Sequence, residues 1–216
     1  MRRLSLILGF LALLSCSEVF GHESRREEDQ AQNNASVTEQ VVSGWAVDKA
    51  KSTLAFSGTQ SGEPFTGSFS EFDAQINFDP EDLANASVVV TINMNSAETD
   101  DVESSNALPG KEWFYIRKFP VAKFAATDFK HLPEDESGDS YIANGNLSIR
   151  GITQNINLPF TLKIENGSAR MDTQLDLNRT TYKVGTGMWA SKEWVEHTVS
   201  VSVHLEAVQI KASQSK

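Results

Sequence analysis

Residues 145–160 read GNLSIRGITQNINLPF. Leu147 and Ile149 put apolar side chains on odd positions, whereas Ile152, Ile156, Leu158 and Phe160 put them on even ones. A two-residue period marks a strand with one apolar face. The phase changes across Arg150-Gly151, so a turn or bulge at that glycine joins two strands. The segment is a hairpin with one oily side, and the architecture is decided by the surface that side has to cover.

The same period runs outward in both directions. Phe65, Gly67 and Phe69 are odd; Phe72, Ala74, Ile76 and Phe78 are even, and the shift near Glu71 predicts a bulge that bends a long strand. Asp79-Pro80-Glu81-Asp82 ends it. Further alternating faces run Val88–Met94, Phe124–Ala126, Tyr141–Ile149, Phe160–Ile164, Met171–Leu177 and, longest of all, Val195–Leu205. Only SSNALPGKEWFY, within residues 101–115, reads helical, and Pro109 and Gly110 hold it to one or two brief turns. One short helix cannot cover the apolar faces of seven or eight strands, so the faces cover each other, as a sandwich or a closed barrel. Bulges and kinking glycines favour closure. An eight-stranded barrel has an interior just wide enough to be filled by side chains or to hold one small ligand.

The first residues, MRRLSLILGFLALLSCSEVFG, have the form of a secretory signal: two arginines, then an apolar run from Leu4 to Leu14 too short to span a membrane. Two cleavage points fit. Leu13-Leu14-Ser15-Cys16 resembles a lipobox and would leave Cys16 acylated, with membrane association through that chain; cleavage after Gly21 would instead start the mature protein at His22. Residues 22–43 are polar, lack aromatics and read as a disordered tether. The expected organisation is thus a signal over 1–21, a tether over 22–43, one β-domain over 44–211 and a tail over 212–216. Cys16 is the single cysteine, so no intrachain disulfide forms and the fold stands on packing. The net charge is −10 over the chain; from residue 44 onward 15 basic residues face 23 acidic ones. Such a domain is a poor match for a nucleic-acid backbone, and no nucleic-acid partner is expected.

Several segments together resemble the YceI-like family of secreted polyisoprenoid-binding proteins. They are WAVD at 45–48 followed by Ser52 and Phe56, GEPFTGSFSEFDAQINFDPEDL at 62–83, WFYIRKFPVAKF at 113–124, NGNLSIRGITQNINLP at 144–159 and NRTTYKVGTGMW at 178–189. The resemblance covers roughly Trp45 to Ala207, and the GNLSIRGIT run is its most diagnostic piece. It implies an all-β fold, an extended lipocalin-like antiparallel barrel of eight strands with one short helix. It also implies export to the periplasm and an isoprenoid lipid, a quinone or polyprenyl chain, inside the barrel, with no cofactor beyond that lipid. Some family members are fused to membrane cytochrome domains. The resemblance leaves the oligomeric state open, a homodimer included. Many members carry a histidine soon after the first strand, where this chain has Gly58-Thr59-Gln60-Ser61-Gly62, so the polar end of a ligand site does not carry over.

The inward parity offers Phe56, Phe69, Phe78, Ile92, Phe124, Leu147, Ile149, Leu158 and Val201 as lining for such a ligand; the same residues would equally fill a solid core. His197, on the apolar parity between Val195 and Val199, is either bonded to a neighbour at the barrel mouth or aimed at a head group. Arg179 either pairs with a surface carboxylate such as Asp176 or meets a head group at the rim. Trp113-Phe114 dock the helix and could close one barrel end as a lid. No pair among His22, His131, His197 and His204 has a metal-binding spacing, the Gly-x-Ser-x-Gly elbow of hydrolases is absent, and the glycines at 185 and 187 lack a following helix. No catalytic or metal-binding set can be assembled, so the expectation is a binding protein and not an enzyme. The competing expectation is a packed barrel that docks to a membrane oxidoreductase without ligand.

Overall fold

The computed structural model describes residues 44–135 and 138–210. The expected signal with Cys16, the tether and the tail lie outside the described residues.

Among the described residues, eleven strands make up eight staves of a closed antiparallel barrel with an up-and-down path, with one α-helix between the third and fourth staves in sequence. β1 (Gly44–Val47) and β2 (Thr53–Gln60) form the first stave, β3 (Glu63–Phe69) and β4 (Phe72–Asn77) the second, and β5 (Ser87–Asn93) and β6 (Ala97–Thr99) the third. The break between β3 and β4 falls at Ser70-Glu71, where the parity of the sequence shifts. After α1 (Val102–Ala107) come the unbroken staves β7 (Val121–Asp135), β8 (Gly138–Ile149), β9 (Ile152–Glu165), β10 (Ser168–Asn178) and β11 (Thr198–Gln209). β11 closes the ring on the first stave, with Ala207 opposite Val47 and Val201 opposite Phe56.

The β8–β9 hairpin explains the parity flip. Arg150 and Gly151 both have positive φ, 53° and 73°, the mirror-image two-residue turn whose twist matches that of the strands. Ile149 then lies directly opposite Ile152, so the inward set passes from odd to even numbers without a bulge. Asn166-Gly167 makes the same kind of turn between β9 and β10.

One junction in the wall is incomplete. β9 pairs with β10 only over Thr161–Glu165, while its remaining length pairs with β8 alone. Pro159 sits where the ladder stops. Its carbonyl faces β10 and accepts a hydrogen bond from Thr173 Oγ1, so an amide there would also face β10, and proline has none to offer. Above Pro159 the two staves part.

The barrel has two unlike ends. At the lower end Phe78 meets Phe129, Tyr141 and Phe160 at ring-centroid distances of 5.3, 5.4 and 5.9 Å. Small residues, among them Ala126, Ala143, Ala169 and Ala207, make room for these rings, and Trp45 Nε1 donates to the Phe78 carbonyl. At the upper end the Arg150-Gly151 turn, the α1 segment and the 179–197 loop come together: Arg150 Nη2 bonds the Lys111 carbonyl, and Trp113 packs on Trp189. The expected strand from Val195 starts later, at Thr198. The Arg179 side chain takes the carbonyls of Val195 and Glu196, which bends that stretch out of the ladder and leaves Val195 a single bridge to Gln60.

Candidate functional site

Beneath the upper end lies a chamber of about 410 Å³. Phe56, Phe65 and Phe69 stand on one side of it, with Phe56 6.4 Å from Phe65 and 5.3 Å from Phe69 between ring centroids. Ile92, Ala122, Leu147, Ile149, Leu177, Val199 and Val201 supply the rest of the wall. A second space of about 90 Å³, bordered by apolar side chains alone, lies in the lower half. Phe124, inward on β7, lines the lower space, while Ala122 and Leu147 line the upper one. Its ring crosses Gly145: a Cβ there would come within 2.7 Å of the Phe124 ring and of the Ala125 carbonyl. Glycine at the start of the GNLSIRGIT run thus lets a phenyl group stretch over the mid-barrel.

The roof is built from α1 and the turns that connect it to β7. Asp101 caps the helix by accepting from the Ser104 amide at 2.6 Å, and that amide bond holds its carboxyl below the usual carboxylate range. Leu108 is buried, Phe114 packs on Phe69 at 5.9 Å, and Trp113 contacts Trp189 at 5.6 Å. The aromatic pair expected to dock the helix therefore also covers the barrel end.

Arg179 is 4% exposed and borders the chamber. All five of its N–H groups go to backbone carbonyls: Nε to Glu196, Nη1 to Val184 and Gly185, Nη2 to Trp189 and Val195, at 2.6–3.2 Å. Burial pulls its pKa down, and the carbonyl cage keeps the cation solvated in place of water. The expected pair with Asp176 does not form: Asp176 is on the outer face of β10 and accepts from Ser200 Oγ instead. Arg179 is the hub that folds the 183–196 loop over the mouth.

Of the candidate lining residues, Phe56, Phe69, Ile92, Leu147, Ile149, Val201 and Arg179 border the upper chamber, and Phe78, Phe124 and Leu158 border the lower space. His197 borders neither; its Nε2 pairs with the Ala190 carbonyl at 3.0 Å, the neighbour-bonded alternative. Its parity placed it inward, but it precedes β11 and belongs to the loop. Sequence reasoning missed Tyr182 and Val184, which sit in the turn after β10, where no period signals burial. Leu177 and Val199 were legible from parity. Among the described residues, no cluster of three or more His, Cys, Asp or Glu could hold a metal ion.

A YceI-like domain is matched over residues 45–207, nearly the whole barrel. The chain belongs to the YceI-like family. A UPF0312 protein of Yersinia pestis (strain Pestoides F) is 30% identical over 151 residues, 67% of this chain and 74% of the relative. The crystal structure of Burkholderia cenocepacia BcnA shares 30% identity and superposes with a TM-score of 0.69, covering 76% of this chain and 100% of that one. A polyisoprenoid binding domain from Saccharophagus degradans, implicated in plant cell wall breakdown, shares the fold at 15% identity with a TM-score of 0.60, over 79% of this chain and 99% of its own.

Proposed function

We propose that this protein is an exported, periplasmic binding protein that holds one isoprenoid-type lipid, a quinone or polyprenyl chain, in the upper chamber. The observation that carries the reading is the roughly 410 Å³ void between apolar walls. At the ~30 Å³ of a water-sized group, it has room for roughly fourteen carbons. Burying these at about 0.8 kcal/mol each gives about 11 kcal/mol, which leaves micromolar affinity after ordering costs. The family, the Saccharophagus domain's described ligand class and the signal-like first residues support the same reading. A packed docking barrel would have its centre filled, so the roughly 410 Å³ void counts against that alternative.

Native mass spectrometry of the purified protein is expected to show an added lipid mass, and melting temperature is expected to rise with added quinones or polyprenyl lipids. Protein that is ligand-free and takes up no lipid from such a panel would overturn the reading.

A further inference from the structure

We propose that Tyr182 is the head-group contact of the chamber and that it selects isoprenoids ending in a neutral hydrogen-bond acceptor, such as a quinone carbonyl, over phosphorylated ones. This rests on the reading of the chamber as an isoprenoid site.

The lower space has no polar side chain in its lining, so the tail points down and the head stays near the mouth. The polar groups of the mouth sort by what they have left to give. Arg179 has spent every N–H on carbonyls. Thr99 is bonded to Ser105 and to the Asp101 carbonyl. Asp101 and Glu103 bring carboxylates to the rim. Gln60, Ser104, Trp113 and Trp189 also carry neutral donors, but all four are only half-buried.

Tyr182 differs from all of these. It is 3% exposed, borders the chamber, and its hydroxyl has no hydrogen-bond partner among the described residues. Buried tyrosine hydroxyls ordinarily have one. The only buried and unpaired side-chain nitrogen or oxygen among the described residues is Arg150 Nη1, so the Tyr182 oxygen still touches accessible space, and the residue that carries it borders the chamber. Burial raises its pKa, which keeps the proton on the oxygen at neutral pH and makes it a donor.

A neutral donor nine-tenths buried in an apolar wall fits a carbonyl. A phosphate needs several donors or a free counter-charge to leave water. Here the lining cation is saturated and two carboxylates stand at the rim.

The test is titration of the wild-type protein and Tyr182→Phe, monitored by tryptophan fluorescence, since Trp113 and Trp189 border the chamber. Three probes share one isoprenoid tail of roughly ten carbons: a benzoquinone, a diphosphate and the plain hydrocarbon. The wild type is expected to bind the quinone at least about tenfold tighter than the diphosphate. Tyr182→Phe is expected to weaken the quinone by roughly threefold to tenfold and leave the hydrocarbon unchanged. Equal wild-type affinity for quinone and diphosphate, or an unchanged quinone affinity in Tyr182→Phe, overturns the proposal while the isoprenoid reading survives. Failure of the wild type to bind any of the three overturns both. The comparison of head groups on the wild type needs no variant to fold.

Discussion

The lower and upper halves of this barrel are built from one pattern and end differently. Both are lined by alternating apolar residues rich in phenylalanine. In the lower half Phe78 contacts three other aromatic rings, alanines recede to admit them, and about 90 Å³ is left. In the upper half Phe56, Phe65 and Phe69 crowd onto one another and onto the roof residue Phe114, so nothing fills the centre, and about 410 Å³ stays open. Whether an apolar lining closes or stays hollow is thus decided by where large side chains find partners, across the lumen or along the wall. Alternation alone is silent on that choice.

The largest effect is expected at the mouth. Arg179→Met strips five carbonyls of their donors at roughly 1 kcal/mol each, so urea unfolding should register a loss of about 5 kcal/mol. A loss below about 1 kcal/mol would show that the loop holds itself over the chamber without this hub. Phe78→Ala comes next, at about 3–5 kcal/mol, because its ring is packed on several sides. Phe56→Ala is the sharpening partner: its ring already borders a void, so its cost should be about 2 kcal/mol, at or below the lower end for buried phenylalanines. Equal losses at the two positions would mean that the halves are packed alike.

The smallest effect concerns pH. The folded pKa of Asp101 is depressed by the Ser104 amide, so its cap is whole above the unfolded carboxylate value of about 3.9 and is lost as pH falls through the lower folded value. Amide exchange in the roof should accelerate below about pH 3.9, relative to β7 and β8, and Asp101→Ala should remove that pH dependence. Uniform acceleration across the barrel would detach the roof's behaviour from this cap.

The alternating strands and the junction at Arg150-Gly151 were legible because each rests on a local rule. Gly151 marks a turn or bulge, and parity names the inward face of β8 and β9. The helix was readable from its breakers, Pro109 and Gly110. The site was only half legible. Leu147 and Ile149 follow from alternation, but Tyr182 lies in a turn, and Arg179 and His197 owe their environments to a loop whose path is set by long-range carbonyl bonds. Parity assumes a ladder, and it stops informing where the ladder stops.

The missing latch above Pro159 makes the barrel a split collar. A fully laddered ring can widen only by breaking hydrogen bonds, whereas here Thr153, Asn155 and Asn157 direct their amides into a gap that β10 does not fill. Parting the two staves in the upper half therefore breaks no ladder bond at this seam, whereas parting them in the lower half breaks those of Thr161–Glu165.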